Sequence, residues 1–316
     1  MSNSISVIIP VYNGETIIDR CLFACLNQTG INSDSYEIIV VNNASTDSSP
    51  TLLKKYAKKY SKIKYVYESK RSSYAARNKG IKEAAGKYLV FIDMDNVPVK
   101  TWLSSYMDHT KKLEEKGVKS FLIGGAVDVK IQNQSNAYEM YDKLNFLDQE
   151  RLVNQEKFAA TANLLVERGV FDSVGNFDSD LISGGDREFG ERTTAKFKLY
   201  YNPKAKVTHF ARNSFKKLMS KNYRIAIGFA QVHYKQYGNH IPSKTILRQM
   251  MPNLGYLNKG LFPRLTVNTS RSIPSAKAMR LKLFYIDILS RYFQLLGRTD
   301  GRKYVKDHTS TKIETR

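Results

Sequence analysis

Four short apolar runs near the N-terminus, separated by segments of helical period, restrict what this chain can fold into. Ser4–Pro10 (SISVIIP), Tyr36–Val41 (YEIIVV), Ile63–Tyr67 and Tyr88–Ile92 (YLVFI) read as strands, the first as a buried strand ended by its proline. Between them, Glu15–Asn27 carries apolar residues at Ile17, Ile18, Cys21, Leu22, Cys25 and Leu26. A second helical segment opens at Asp47 and runs through Leu52, Leu53 and Tyr56, and a third spans Ser72–Ala85. Strands buried on both faces and alternating with helices of this length imply parallel βαβ units with right-handed crossovers.

Beyond Asn96 the pattern loosens. Trp102–Glu115 reads as a helix and Ser120–Val129 as a strand with a glycine bend. Further structure is expected around Ala159–Val166, a short helix near Glu167–Phe171, and two strands at Lys198–Tyr201 and Ala205–His209. After Arg212 the chain turns helical and basic. Residues 240–275, with Pro242, Pro252, Pro263 and Pro274, read as irregular structure leading to a last helix, Ala276–Leu296. That helix has an apolar face of Met279, Leu283, Phe284, Ile286, Leu289, Tyr292, Phe293 and Leu296 on a basic background, suited to packing or to peripheral attachment to an anionic membrane.

The chain has 316 residues, 42% hydrophobic and 25% charged, ordinary values for a globular protein. Its net charge of +21 is not ordinary. The last 76 residues hold 15 Lys and Arg against four Asp and Glu, or +11. Such an excess suits anionic partners: nucleic acid, an acidic membrane surface, or anionic glycan or lipid substrates. The only cysteines, Cys21 and Cys25, share one helix face in an apolar run and read as core residues. The N-terminus lacks a basic n-region and enters a strand at once, so no signal peptide is expected. No apolar run reaches the roughly 18 residues of a membrane span. A cytoplasmic location is the expectation.

The fourth strand delivers Asp93 and Asp95. Two carboxylates one residue apart, at the carboxyl end of a buried strand, face the crevice where open α/β sheets bind ligands. Both can meet one hard cation, which can in turn hold a diphosphate. At the end of the first strand, Pro10, Val11, Tyr12 and Glu15 emerge at the same sheet edge, where backbone groups and an aromatic face can hold a nucleobase.

Four islands occur in order: SVIIPVYNGE (6–15), VVNNASTDS (40–48), AARN…AAGKYLVFIDMD (75–95), and NLLVERGVFDSVGNFDSDLISGGDREFGER (163–192) with VTH at 207–209. Together they resemble the family-two glycosyltransferases, inverting enzymes of the GT-A fold, over residues 4–230. The resemblance implies an α/β domain with a Rossmann-like, mostly parallel central sheet flanked by helices. It would occupy residues 1–235, with a nucleotide-binding half at 1–98 and an acceptor half at 99–235. Residues 236–316 would form a basic, partly helical extension.

The resemblance also implies roles. Asn42 stands where the family usually has an acidic residue contacting base or ribose. Arg77 would meet a phosphate or brace Asp93, Asp93 would organise the nucleotide, and Asp95 and His209 would hold Mn²⁺ or Mg²⁺. Asp186 falls on the catalytic base, with Glu188 as fallback. Asn163, Gly184 and Gly185 would shape the acceptor side. Apart from the resemblance, the basic helical run after His209 offers Arg212 or Arg224 to neutralise the departing diphosphate. The expected donor is a nucleoside-diphosphate sugar, UDP favoured, and the acceptor a glycan or lipid-linked saccharide. Two other readings stand beside this one. A nucleotidyltransferase lacks the Gly-rich phosphate loop it would need, and a nucleic-acid or polyanion binder lacks any recognised module.

Overall fold

The computed structural model describes residues 4–242, Ile246, residues 251–256 and residues 276–313. Most of the stretch expected to be irregular, including Pro263 and Pro274, lies outside the described residues. The opening alternation is present as β1 (Ile5–Val11), α1 (Ile18–Leu26), β2 (Tyr36–Asn42), α2 (Ser49–Lys59), β3 (Ile63–Tyr67), α3 (Ser73–Glu83) and β4 (Tyr88–Ile92). Then come β5 (Asn96–Pro98), α4 (Trp102–Glu115), β6 (Phe121–Lys130), α5 (Ala137–Asn145), α6 (Gln149–Asn154), β7 (Asn163–Glu167) and α7 (Arg168–Val174). The remaining elements are α8 (Gly185–Thr194), β8 (Lys198–Phe210), α9 (Phe215–Tyr237) and α10 (Lys277–Ile313).

The strands form one sheet in the order β3-β2-β1-β4-β7-β6-β8-β5. β3, β2, β1 and β4 are parallel, and every residue of β1 and β4 is buried, as strands covered on both faces require. The other half pairs antiparallel: β4 with β7, β7 with β6, and β8 with β5. "Mostly parallel" therefore describes the N-terminal half alone. Pro10 does not end β1. It sits inside the strand, opposite Val41 of β2, while pairing with β4 stops at Ile8, so its missing N–H breaks no bond in that ladder. Cys21 and Cys25 are buried and unlinked, as core residues.

The chain divides into two compact units. The first contains residues up to Asp128, Leu147–Asp180 and Gly185–His209; the second contains Val129–Phe146, Leu181–Gly184 and the residues from Phe210 onward. The expected boundary at residue 235 falls inside the second unit, where α9 and α10 pack together. Gly297 and Gly301 of α10 lie directly against Tyr223, Ala226, Ile227 and Ala230 of α9. A core of Tyr141, Leu144, Leu218, Met219, Tyr256, Leu283 and Ile286 closes the unit. Among the described residues, no helix is long and apolar enough to cross a membrane.

Candidate active site

In the first unit the strand order reverses between β1 and β4, and the chain leaves both strands at the same edge of the sheet. Such a switch point opens the crevice in which α/β sheets take ligands. Tyr12 emerges from β1 with 37% of its surface exposed, its ring beneath the guanidinium of Arg71, which also contacts its hydroxyl. Beyond β4, Asp93 and Asp95 each keep 38% of the side chain open.

Arg77, buried on α3, donates from Nη2 to Asp93 Oδ1 at 2.6 Å. It braces the carboxylate, one of the two roles expected of it. Its Nε is buried without a hydrogen-bond partner. Despite its open surface, Asp93 has its pKa raised, chiefly by burial in the crevice. Arg77 opposes that shift, Asp95 and Asp186 add to it, and His209 works against it. Three carboxylates and one imidazole thus share a single electrostatic neighbourhood.

His209 reaches this neighbourhood through strand pairing. β5 and β8 align Asn96 opposite His209, and the ring lies buried with Nδ1 3.0 Å from Asn96 Oδ1 and 3.6 Å from Asp95 Oδ2. Asn96 Nδ2 donates to the Ala162 carbonyl at 2.9 Å, which turns Oδ1 toward the ring. Nδ1 then donates to Asn96 Oδ1. Among the described residues, no three His, Cys, Asp or Glu side chains group as a metal cage. The donors present, carboxylate oxygens and one imidazole, fit Mn²⁺ or Mg²⁺ with the other ligands drawn from diphosphate and water.

Asp186 is the second residue of α8. Thr161 holds it twice: the hydroxyl donates to Oδ1 at 3.0 Å and the backbone N–H to Oδ2 at 3.3 Å. The backbone N–H of Gly185 donates to the Tyr74 hydroxyl at 2.9 Å, and a Cβ at Gly185 would stand 2.7 Å from that ring. Only glycine lets the start of α8 approach Tyr74 this closely. Gly184, in the second unit, has φ of 80°, the left-handed region that favours glycine.

Some expected residues face elsewhere. Asn163 is fully buried, accepting from Trp102 Nε1 and Tyr106 Oη at 2.8 Å each and donating to the Ala126 and Ala205 carbonyls at 2.9 and 2.8 Å. All of its polar capacity is spent inside the core, so it is a packing knot and not an acceptor contact. Asn42 is likewise buried, donating to the Tyr65 hydroxyl and accepting from the Ser45 N–H, so its side chain braces a loop instead of facing a base. Val11 is buried too, its carbonyl taken by the Asn43 N–H. Glu15 accepts from the Ser48 N–H at 2.8 Å, and Asp47 accepts from the N–H groups of Glu15 and Ser49, fixing the loop before α2.

Glu188 is held by Arg192 through both carboxylate oxygens, at 2.6 and 2.9 Å, a poor setting for a base. In the second unit, Arg212 donates to buried Asp142 from its backbone and its guanidinium, whereas Arg224 is exposed on α9. Sequence reasoning missed Asn96, Thr161 and Tyr74, which position His209, Asp186 and α8. The four-residue run DMDN did contain Asn96, but nothing local marks its partner 113 residues away.

The profile of glycosyl transferase family 2 matches residues 6–175. The glycosyltransferase AglE of Haloferax volcanii is 34% identical over 236 residues, 72% of this chain and 73% of that protein. A Methanococcus voltae enzyme described as a dolichyl N-acetyl-alpha-D-glucosaminyl phosphate 3-beta-D-2,3-diacetamido-2,3-dideoxy-beta-D-glucuronosyltransferase is 28% identical, across 69% of this chain and 70% of its own. Among solved structures, the mannosyltransferase PcManGT of Pyrobaculum calidifontis, in complex with GDP-Man and Mn²⁺, superposes with a TM-score of 0.56 at 16% identity. That match covers 97% of this chain and 76% of that one. Residues 1–349 of S. aureus TarS, in complex with UDP-GlcNAc, give 0.53 at 17% identity, covering 95% and 92%. The structural likenesses give the fold, which is GT-A, and the profile spans more than half of the sequence: this chain belongs to glycosyl transferase family 2 and is a glycosyltransferase.

Proposed function

We propose that this glycosyltransferase is inverting and metal-dependent. It moves a sugar from a nucleoside-diphosphate donor, UDP favoured, to a hydroxyl of a glycan or lipid-linked saccharide in glycoconjugate assembly. The observation that carries the reading is the position of Asp186, fixed at the start of α8 by Thr161 and felt electrostatically by Asp93. In this reading the acceptor hydroxyl gives its proton to the Asp186 carboxylate. Its oxygen bonds to the anomeric carbon from the face opposite the donor bond, and that bond's electron pair leaves with the nucleoside diphosphate.

The remaining residues bind and orient. Tyr12 offers a ring to the base, and Asp93, held by Arg77, orients the ribose side. Asp95 and His209 Nε2 would hold Mn²⁺ or Mg²⁺, whose charge would offset the diphosphate when bound. Arg212 already pairs with Asp142, which argues against a role for it at the departing diphosphate. Binding of GDP-Man with Mn²⁺ by one structural neighbour and of UDP-GlcNAc by another supports a nucleotide-sugar donor with a divalent cation. The dolichyl-linked substrate in a relative's description supports a lipid-linked acceptor. Such an acceptor would be met at a membrane surface, so peripheral contact with an anionic membrane belongs to the proposal.

The test is a thermal-shift series with UDP, GDP, dTDP and CMP, each with Mn²⁺ and with EDTA. One diphosphate is expected to raise the Tm only with Mn²⁺, since a ligand at about 100 times its Kd stabilises by about 2.7 kcal/mol. Asp186→Asn is expected to keep that shift while transfer falls by about 10²–10⁴-fold, and Asp95→Asn to lose the shift. The anomeric configuration of the product, read by proton NMR, tests inversion. Full turnover in Asp186→Asn would sink the base assignment.

A further inference from the structure

α10 has two apolar faces, and among the described residues only one of them is packed. Leu283 and Ile286 point into the core of the second unit, with Phe284, Leu289 and Phe293 packed at its edge. The face read from the sequence as broad and apolar is therefore largely occupied. On the other side, Leu281, Tyr285, Ile288, Tyr292 and Leu296 are exposed, by 62, 62, 41, 51 and 37%. Their spacing of four, three, four and four residues confines them to an arc of about 80° at 100° per residue, along roughly 22 Å of helix. Single exposed apolar residues need no explanation, but a continuous stripe of five marks an interaction surface.

The charge around the stripe selects its partner. The exposed positions of α10 through Lys303 include Lys277, Lys282 and Lys303. Of the two acids in that span, Asp287 is buried, whereas Asp300 keeps 44% of its side chain exposed and lies 3.7 Å from Lys303. Asp287 accepts from Tyr141 Oη, the Asn253 N–H and Arg291 Nε at 2.7 Å each, and Asp300 accepts from Tyr223 Oη at 2.6 Å. A second copy of this chain would set this lysine-rich face against itself, with Asp300 of α10 already engaged by Lys303 and Tyr223. An anionic bilayer matches both features: aliphatic groups and tyrosine rings sink to the acyl boundary, and hydroxyls and ammonium groups stay at the headgroups.

We propose that the Leu281–Leu296 stripe of α10, flanked by Lys277, Lys282 and Lys303, is a docking face for an anionic lipid bilayer. It deepens the membrane contact proposed above and rests on that part of the reading, not on the transfer chemistry. The test is flotation of the full chain with phosphatidylcholine vesicles, with and without phosphatidylglycerol, at low and high salt, beside light scattering for oligomeric state. The wild type is expected to float with the anionic vesicles and to be released by salt. Ile288→Glu/Tyr292→Glu is expected to lose about tenfold or more in partitioning, since apolar burial and electrostatic attraction act together. A milder Ile288→Ser/Tyr292→Ser pair should lose less, and Lys277→Gln/Lys282→Gln should lose mainly the salt-sensitive part.

Each variant is also checked for unchanged Tm and an unchanged nucleotide shift with Mn²⁺, which separates loss of docking from loss of fold. If the wild type floats and both double variants on the stripe float equally well, the membrane contact lies elsewhere and the assignment is overturned. If the wild type ignores anionic vesicles at low salt, the membrane reading goes with it. A dimer that the glutamates dissociate would make the occupant a second copy and overturn the proposal too. Failure of the nucleotide shift alone would strike the active-site reading and leave the docking result untouched.

Discussion

At the level of single residues, the orientation of one amide decides which nitrogen of His209 can meet a cation. Asn96 is buried, and its Nδ2 is fixed by the Ala162 carbonyl, so its Oδ1 must accept from His209 Nδ1. Asn96→Ala and Asn96→Asp should both lose the Ala162 bond, at about 1–3 kcal/mol for an orphaned buried group. Only Ala also removes the acceptor for Nδ1–H, so Mn²⁺ affinity, measured by electron paramagnetic resonance, should fall about 10–100-fold in Ala and much less in Asp. Equal loss in both would reduce Asn96 to a packing residue. Asp93, Asp95, Asp186 and His209 stand out as candidates in the sequence, because their motifs are local. The sequence could not show that Asn42 and Asn163 face inward, since a buried, fully bonded asparagine reads the same as an exposed one. Asn96 and Thr161 act through partners brought close only by folding.

Among the elements, the start of α8 depends most on a close approach. Gly185 touches the Tyr74 ring, and the residue after it is the proposed base. Gly185→Ala should push the helix start away from Tyr74 and shift Asp186, where a 1 Å displacement can cost about 10²-fold in rate. Nucleotide-dependent Tm shifts should survive, because Asp93 and Asp95 lie in the turn between β4 and β5 and not on α8. Tyr74→Phe keeps the ring against Phe177 and loses the hydrogen bond from Gly185, worth about 0.5–1.5 kcal/mol, so its kcat should fall far less. A Gly185→Ala enzyme with unchanged kcat would refute the placement. The early strands and helices were legible because buried strands are continuous apolar runs and the helices between them keep a clean period. β5, α5 and α6 were not, being short and mixed in polarity. β8 was split in two because Asn202-Pro203 interrupts its apolar pattern, yet it runs unbroken from Lys198 to Phe210.

Over the whole molecule, the strong positive charge raises the question of what holds a cation-rich second unit together. Asp142, fully buried on α5, answers part of it: Lys221 Nζ approaches at 2.7 Å and Arg212 Nη1 at 3.2 Å. Burial alone would push the Asp142 carboxyl up, but Lys221 and Arg212 outweigh it and hold the pKa below the usual value. Burial also pushes the Lys221 ammonium down; the permanent charge of Arg212 and the short contacts keep Asp142 ionised. A depressed carboxylate pKa stabilises the fold above the unfolded value, about 3.9, and that stability disappears as pH falls through the folded value. Asp142→Asn leaves two partly buried cations facing an amide and should cost up to about 3–5 kcal/mol at neutral pH. The difference between wild type and variant, from urea denaturation followed in the second unit, should hold steady from pH 7 to 5 and shrink below about pH 4. A gap that stays constant down to pH 3 would mean Asp142 contributes packing and not charge.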